Sequence, residues 1–384
     1  MDGGGSERQL WQLACGVSRD LFDPSLYLLH RRGRYLKSIP DDLKVFDFGA
    51  NPPKGLPFPG AIRSAQIRHL ENVIGATNSD VLYDRTFHMT LVTAPACYRQ
   101  NCPRVSTIVS PPSQNFGGSK ERFKFLKKRI LKAAYQSSNS TTIAVSEGVA
   151  SDASDFYGIS KNRFTVIPSP VDISEIRRLA ELVEYSAIPR PPTFCVVGRM
   201  SREKGQGLSL HAFHKLLKAN KQFQGTMEFV GDGPDRRHLE ELAASLGIRE
   251  YVRFHGFLEN PYPVIKNATT LVLPSRYEGL PNVVMEAMAL NTGVIATKCS
   301  SSIEKLLGNN ERGAIVELAA NDDQVIRDLQ FAMQHSLEDG AAWRERIQLA
   351  SQYVHANHDL AAWLEKMSEV LEAISRQSKP ATSR

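Results

Sequence analysis

Thr270-Leu271-Val272-Leu273-Pro274-Ser275-Arg276-Tyr277-Glu278-Gly279-Leu280-Pro281-Asn282-Val283-Val284-Met285-Glu286-Ala287-Met288-Ala289 reads as a strand, a loop and a helix. Thr270–Leu273 is a short apolar run of β-forming residues. Pro274, Gly279 and Pro281 punctuate the chain. The apolar stretch after Pro281 has helical character, with Pro281 suited to the first helical position. A strand handed to a helix is half of a βαβ unit and points to a parallel sheet. Glu278 and Glu286 stand eight positions apart, a little over two helical turns, so a loop carboxylate and a helix carboxylate can face one cleft. The free N–H groups of the helix start suit an anion. One phosphate site flanked by two carboxylates suits a nucleotide sugar.

The same alternation extends on both sides. Thr193–Val197, Thr226–Val230, Val252–His255 and Gly293–Thr297 read as strands, with helices over Gly205–Lys218 and Arg236–Leu246. In the first half Leu26–Leu29, Val45–Phe48, Val81–Tyr83, Val105–Val109 and Thr142–Val145 are the strand candidates. Strands alternating with helices predict a doubly wound α/β sheet in each half. Pro189, Pro191 and Pro192 mark a linker. The expected division is a first domain over 1–183, a linker over 184–192, a second domain over 193–355, a closing helix over 356–376 and a disordered tail over 377–384. The tail from about Ala341 to Arg376 reads as helical, with Trp343, Leu349, Trp363 and Leu371 as apolar positions.

At 384 residues the chain is long enough for two cores. No apolar run approaches the ~20 residues of a membrane span. The opening residues show no signal-peptide pattern. Five cysteines, at 15, 97, 102, 195 and 299, follow no metal or redox spacing. The expectation is reduced thiols and a cytoplasmic setting.

Residues 1–170 carry 22 Lys/Arg against 14 Asp/Glu, a net of +8, so with the whole chain at +6 the remainder is −2. The excess concentrates in Lys120–Lys132, where Phe123, Leu126, Ile130 and Leu131 recur at helical spacing among cations. That pattern fits a basic amphipathic helix on an anionic membrane surface. It equally fits a domain helix with a buried apolar side and solvated lysines. Nucleic acid is not expected, because no aromatic stacking array accompanies the cluster.

The stretch around Glu278 and Glu286 resembles the E-x7-E signature of retaining GT-B glycosyltransferases of the family 4 type. Phe194–Gly205 is similar to that family's strand and G-R-x-x-x-x-K-G loop. Glu228–Pro234 is similar to its G-x-G-P turn, and Val252–Phe257 to its F-x-G strand end. Ile167-Pro168-Ser169-Pro170-Val171-Asp172 resembles its I-P-N-G-V-D segment, with Ser-Pro in place of Asn-Gly. Five motifs in order over roughly residues 145–300 make the resemblance specific. It implies two Rossmann-like domains facing across a cleft, the last helix crossing back to the first domain. The nucleotide sugar would sit on the second domain and the acceptor on the first.

Residue by residue, the resemblance makes Arg199 and Lys204 the diphosphate pair. Gly198, Phe257, Gly279, Leu280, Pro281, Asn282 and Val283 are expected to line the donor. Glu286 would hold the ribose hydroxyls, and Glu278 would contact the transferred sugar. Gly4 and Gly5 would let backbone approach the diphosphate from the other domain. His88, after the strand at Val81–Tyr83, stands where it can help deprotonate the acceptor, with a purely structural histidine as the equal alternative. Many relatives place a catalytic histidine after the next strand, where this chain has Ser110-Pro111-Pro112. Ser146-Glu147-Gly148 resembles a V-S-x segment near the cleft. No Asp-x-Asp occurs, so metal-independent chemistry with no cofactor is expected.

The family begins with a strand ahead of its glycine-rich loop. Here Met1–Arg8 resembles that loop and runs straight into Leu10, Leu13, Ala14 and Val17. The expectation is a natural start upstream of Met1 or a segment trimmed away. The implied function is transfer of a hexose from a nucleoside diphosphate sugar, UDP ahead of GDP, to a glycan or lipid-linked acceptor in surface polysaccharide synthesis. The expected setting is the inner face of the cytoplasmic membrane, with contact through residues 120–132. The alternatives are a nucleotide-sugar epimerase of the same fold and an inactive nucleotide-sugar binder.

Overall fold

A computed structural model describes residues 5–50, 60–115, 123–182 and 191–378. The chain divides into two compact units, Met1–Pro170 with Ala361–Arg384, and Val171–Leu360.

The first unit holds β1 (Ser25–Leu28), β2 (Lys44–Asp47), β3 (Leu82–Arg85), β4 (Arg104–Ile108), β5 (Ser140–Ala144) and β6 (Phe164–Val166). All pairings are parallel, but they form two sheets, β1-β2 and β3-β4-β5-β6. β3 starts one position later than the expected Val81–Tyr83 and runs two positions further, because Asp84 and Arg85 are buried in the sheet rather than solvated. Asp84 accepts from the hydroxyls of Thr90, Thr93 and Ser106, each at 2.7 Å, and faces the buried Arg104 guanidinium at 3.4 Å. Arg104 also donates to Ala134 O at 2.8 Å. This buried polar knot ties β3, β4 and the helices Phe87–Arg99 and Lys124–Gln136 together.

The second unit holds β7 (Thr193–Val197), β8 (Thr226–Val230), β9 (Val252–Gly256), β10 (Thr270–Leu273), β11 (Gly293–Thr297) and β12 (Ala314–Val316). They form one sheet in the order β12-β11-β10-β7-β8-β9, with every pairing parallel. Both faces are covered, by clusters centred on Leu271, Met285 and Ile303 and on Phe194, Phe213 and Met227. Near-continuous apolar strands are the expected result of such double burial.

The unit boundary differs from the expected linker. Helix Ile173–Ala180 belongs to the second unit, because Ile173, Ile176 and Ala180 enter its core beside Tyr262, Ile265 and Leu290. Of the expected linker, residues 184–190 lie outside the described residues. The helical tail is two helices, Gly340–Asn357 and Leu360–Ser378. They break where Val171 N donates to His358 O at 2.8 Å and Val171 bridges Asp359. The last helix lies in the first unit from Ala361 onward. It extends to Ser378, past the expected end at 376; residues 379–384 lie outside the described residues.

Candidate functional site

In the second unit the strand order reverses at one place. β7 leads outward to β8 and β9, and the chain then returns to β10 on the other side of β7. Ligands bind outside the carboxyl ends of strands at such a reversal. The loops there are residues 198–205 after β7 and 274–281 after β10.

The first loop is fixed by its backbone. Gly198 N donates to Val230 O at 2.9 Å and Met200 N to Asp232 O at 2.9 Å. Gln206, buried at the next helix start, donates from Nε2 to Arg199 O at 2.8 Å. Gly231, at φ +132°, packs so closely that a Cβ there would fall on Gly198 O. Gly205, at φ +63°, would place a Cβ on Pro274 O, so only glycine lets the two loops meet. Arg276 N donates to Glu203 O at 2.8 Å and locks them together.

The charged groups follow from that backbone. Lys204 Nζ lies 2.6 Å from Glu278 Oε1, and Ser275 Oγ donates to the same oxygen at 2.9 Å. An ammonium has three donors, and Glu278 takes one. Arg199 is exposed at the loop crest. Burial pushes the Glu203 carboxyl up, but the Ser201 hydroxyl, its own backbone and the charges of Lys204 and Arg199 outweigh it and hold it below its ordinary value. Burial pushes the Cys299 thiol up to about 12, with the Glu278 charge adding and Lys204 opposing. Cys299 is therefore a neutral wall of the site.

The second loop enters helix Asn282–Ala289. Pro281 is not its first helical residue: it is extended, at ψ 100°, and occupies the capping position. It is buried there, and its ring carries no N–H to leave unpaired. Gly279 O accepts from Ser302 Oγ at 2.6 Å. Leu280 and Val283 pack on the core. Asn282 Oδ1 is buried with no hydrogen-bond partner, and Glu286 is buried one turn further on.

The structure thus brings Gly198, Arg199, Lys204, Glu278, Gly279, Pro281 and Asn282 to two adjoining loops. Phe257 follows β9, two strands away from β7, with its ring 62% exposed. Sequence reasoning missed Ser275, Gln206 and Cys299: Cys299 reaches Glu278 only through the fold, and the short-range bonds of Ser275 to Glu278 and of Gln206 to Arg199 O match no motif.

Two family descriptions match this chain. "Glycosyltransferase Family 4" covers residues 3–175, and "Glycosyl transferases group 1" covers residues 181–349. The chain carries both domains of a GT-B glycosyltransferase, the family 4 domain first and the group 1 domain second. It is 29% identical over 187 residues to the lipopolysaccharide 1,6-galactosyltransferase of Salmonella typhimurium, covering 48% of this chain and 50% of that one. It is 25% identical over 189 residues to the N-acetylgalactosamine-N,N'-diacetylbacillosaminyl-diphospho-undecaprenol 4-alpha-N-acetylgalactosaminyltransferase of Campylobacter jejuni, covering 49% of each. The chain spans half or less of the length of the curated relatives it matches. Among solved structures, Anabaena Alr3699/HepE in complex with UDP and glucose superposes with a TM-score of 0.78 at 19% identity, over 97% of both chains.

In the first unit of this glycosyltransferase, His88 is exposed in the first turn of helix Phe87–Arg99, its ring tilted against that of Phe87 with centroids 3.8 Å apart. It sits beyond the carboxyl end of β3. Thr86, two positions before it, has φ +74°, an uncommon conformation for a β-branched residue. Ser146 is a helix cap whose hydroxyl accepts from Val149 N at 3.2 Å, and Glu147 pairs with Lys161. Gly5 is the first residue of helix Gly5–Gly16; Gly4 lies outside the described residues.

Proposed function

We propose that this glycosyltransferase is a retaining enzyme that moves a hexose from a UDP-sugar to a glycan or lipid-linked acceptor in surface polysaccharide synthesis. The observation that carries this is the Lys204–Glu278 pair beside Arg199 at the strand reversal of the second unit. When the bond between sugar and diphosphate breaks, negative charge grows on the leaving group and the sugar becomes cationic. Arg199 and Lys204 are fixed cations for that charge, helped by the free N–H groups at the start of helix Asn282–Ala289. Preorganisation matters more than charge alone, and Glu278 supplies it by holding the Lys204 ammonium.

Glu278 is poorly suited to act as a covalent nucleophile, because Lys204 and Ser275 both engage its Oε1. Retention then proceeds by attack from the face the leaving group departs. Glu286 and Asn282 Oδ1 are the acceptors for ribose hydroxyls. His88 takes the acceptor's proton. The leaving-group charge is assigned to Arg199 and Lys204 rather than to a metal ion. A UDP donor agrees with the nucleotide bound by the Anabaena neighbour, and a lipid-linked acceptor with the names of the two bacterial relatives.

The test is UDP release from UDP-glucose, UDP-galactose and their N-acetyl forms, with a polyprenyl-diphosphate glycan as acceptor and EDTA present. The expected result is acceptor-dependent UDP release. Sugar interconversion without UDP release would make the protein an epimerase, and no turnover from a folded, UDP-binding protein would make it a binder.

The acceptor also directs the protein to the inner face of the cytoplasmic membrane. Among the described residues no helix is long and apolar enough to cross a bilayer. Helix Lys124–Gln136 carries five cations and no acid. The expected stripe of Phe123, Leu126, Ile130 and Leu131 is split. Leu131 packs inward with Ala134 and Tyr135, while Phe123, Phe125 and Leu126 are exposed among the lysines. Exposed apolar residues inside a basic patch suit an anionic bilayer. Replacing Lys127, Lys128 and Arg129 with Gln is expected to weaken binding to phosphatidylglycerol vesicles about 100-fold, at ~1 kcal/mol per residue. Unchanged cosedimentation would return this helix to an ordinary solvated face.

A further inference from the structure

Helix Gln206–Ala219 of the second unit buries Leu208, Phe213 and Leu216 in the core and turns one kind of charge outward. His211, His214, Lys215 and Lys218 stand at i, i+3, i+4 and i+7, so they share one stripe. No carboxylate lies anywhere in that helix. Like charges at this spacing repel. The neighbouring helix Arg236–Ser245 shows the usual remedy, with Arg236 bonded to Glu240 at 3.0 Å and Arg237 to Glu241 at 2.8 Å.

The stripe borders a cavity of about 870 Å³, which Arg202 and His238 also line. Among the described residues Arg202, Lys215 and Lys218 make no ion pair. The three carboxylates on the cavity wall are already answered. Asp322 accepts from Arg276 at 2.8 Å. Asp235 and Asp323 stand at the starts of helices Arg236–Ser245 and Asp322–Glu338, where the helix dipole offsets a negative charge. His214 registers the imbalance. Burial first, then the charges of Lys218, His211 and Lys215, hold its imidazole below the ordinary value, against a hydrogen bond to the backbone of Leu246. Arg199, Lys204 and Glu278 do not line this cavity.

Three fixed cations beside three imidazoles match an anion of several charges rather than one. The stripe from His211 to Lys218 is about 10 Å long at the helical rise, more than a single phosphate covers. We propose that this cavity binds a small anion with two phosphate groups, a diphosphate or a bisphosphate ester, separately from the donor site. Lys215 and Lys218 would meet phosphate oxygens as point charges and Arg202 bidentately. A bilayer fits less well, because His211 and His214 are half-buried and no exposed large apolar side chain lines the cavity. A nucleic acid would find no Phe, Tyr or Trp there for its bases to stack on.

The test titrates inorganic pyrophosphate, by calorimetry at low salt, into the full chain carrying Arg199→Ala and Lys204→Ala, which removes the donor-site cations. Binding is expected to persist. Adding Lys215→Gln and Lys218→Gln should weaken it by at least about tenfold, with little change in Tm because both lysines are exposed. Lys215→Arg with Lys218→Arg should keep it. In proton NMR the rings of His211 and His214, assigned through His→Gln variants, should titrate at higher pH with pyrophosphate bound, since a nearby anion favours the charged imidazole. Affinity indifferent to the two glutamines would overturn the proposal, as would binding abolished by the Arg199 and Lys204 changes alone. Inorganic phosphate binding as tightly as pyrophosphate would overturn the two-phosphate requirement. Lysine-dependent binding to phosphatidylglycerol vesicles with no pyrophosphate affinity would give the stripe to a membrane instead.

Discussion

Replacing Arg199 and Lys204 together with alanine is expected to lower turnover about 10^4-fold while Tm moves by only a few degrees. Each side chain is a fixed cation where leaving-group charge develops, and loss of one such group costs on the order of 10^2–10^3 in rate. The effects combine incompletely, because groups serving one charge are not additive. Neither side chain belongs to a core: Arg199 is exposed and Lys204 is partly exposed beside Glu278. Stability is therefore a control on the reading. UDP release under saturating donor measures the effect. A loss below tenfold would place the leaving-group site elsewhere, and collapse of Tm would make the loop structural.

Replacing Asp84 with alanine should be the most damaging single change to stability in the first unit. It leaves the Arg104 guanidinium, only 3% exposed, without its carboxylate. It also strips three hydroxyls of their acceptor. Breaking a buried pair on one side costs ~3–5 kcal/mol, far more than the intact pair is worth. The expected fall in Tm is roughly 10 °C. Asp84→Asn keeps acceptor capacity and should recover part of it. A calorimetric scan in which Asp84→Ala shifts Tm by less than about 2 °C would show that the knot is not tight.

The contrast between those two regions explains how much the sequence disclosed. In the second unit Thr193–Val197, Thr226–Val230, Thr270–Leu273 and Gly293–Thr297 were legible to the residue, because strands covered on both faces are apolar along their length. Three-residue strands such as Phe164–Val166 and Ala314–Val316 are too short to show any period. In the first unit Asp84, Arg85 and Arg104 are polar yet buried in strands, so local chemistry reads as loop where tertiary pairing makes sheet. The unit boundary hid for a related reason. The proline cluster looks like a linker, but Ile176 is claimed by the second core before the chain reaches it.

For the site, the glycines and the charged residues could be named from their loops. That Lys204 and Glu278 are partners could not, because 74 positions separate them and only the strand order brings them together. Cys299 was invisible on the same ground, whereas Ser275 lies three positions from Glu278 but matches no motif. Pro281 was misplaced by one position, since a proline preorganised for a helix fits the capping position equally well.

The central claim is that the donor nucleotide binds at the strand reversal of the second unit. Hydrogen exchange with and without saturating UDP tests it most directly. The account predicts slowed exchange confined to residues 198–205 and 274–286, with β9 and β12 unaffected. Slowing elsewhere with none in those two loops would contradict it.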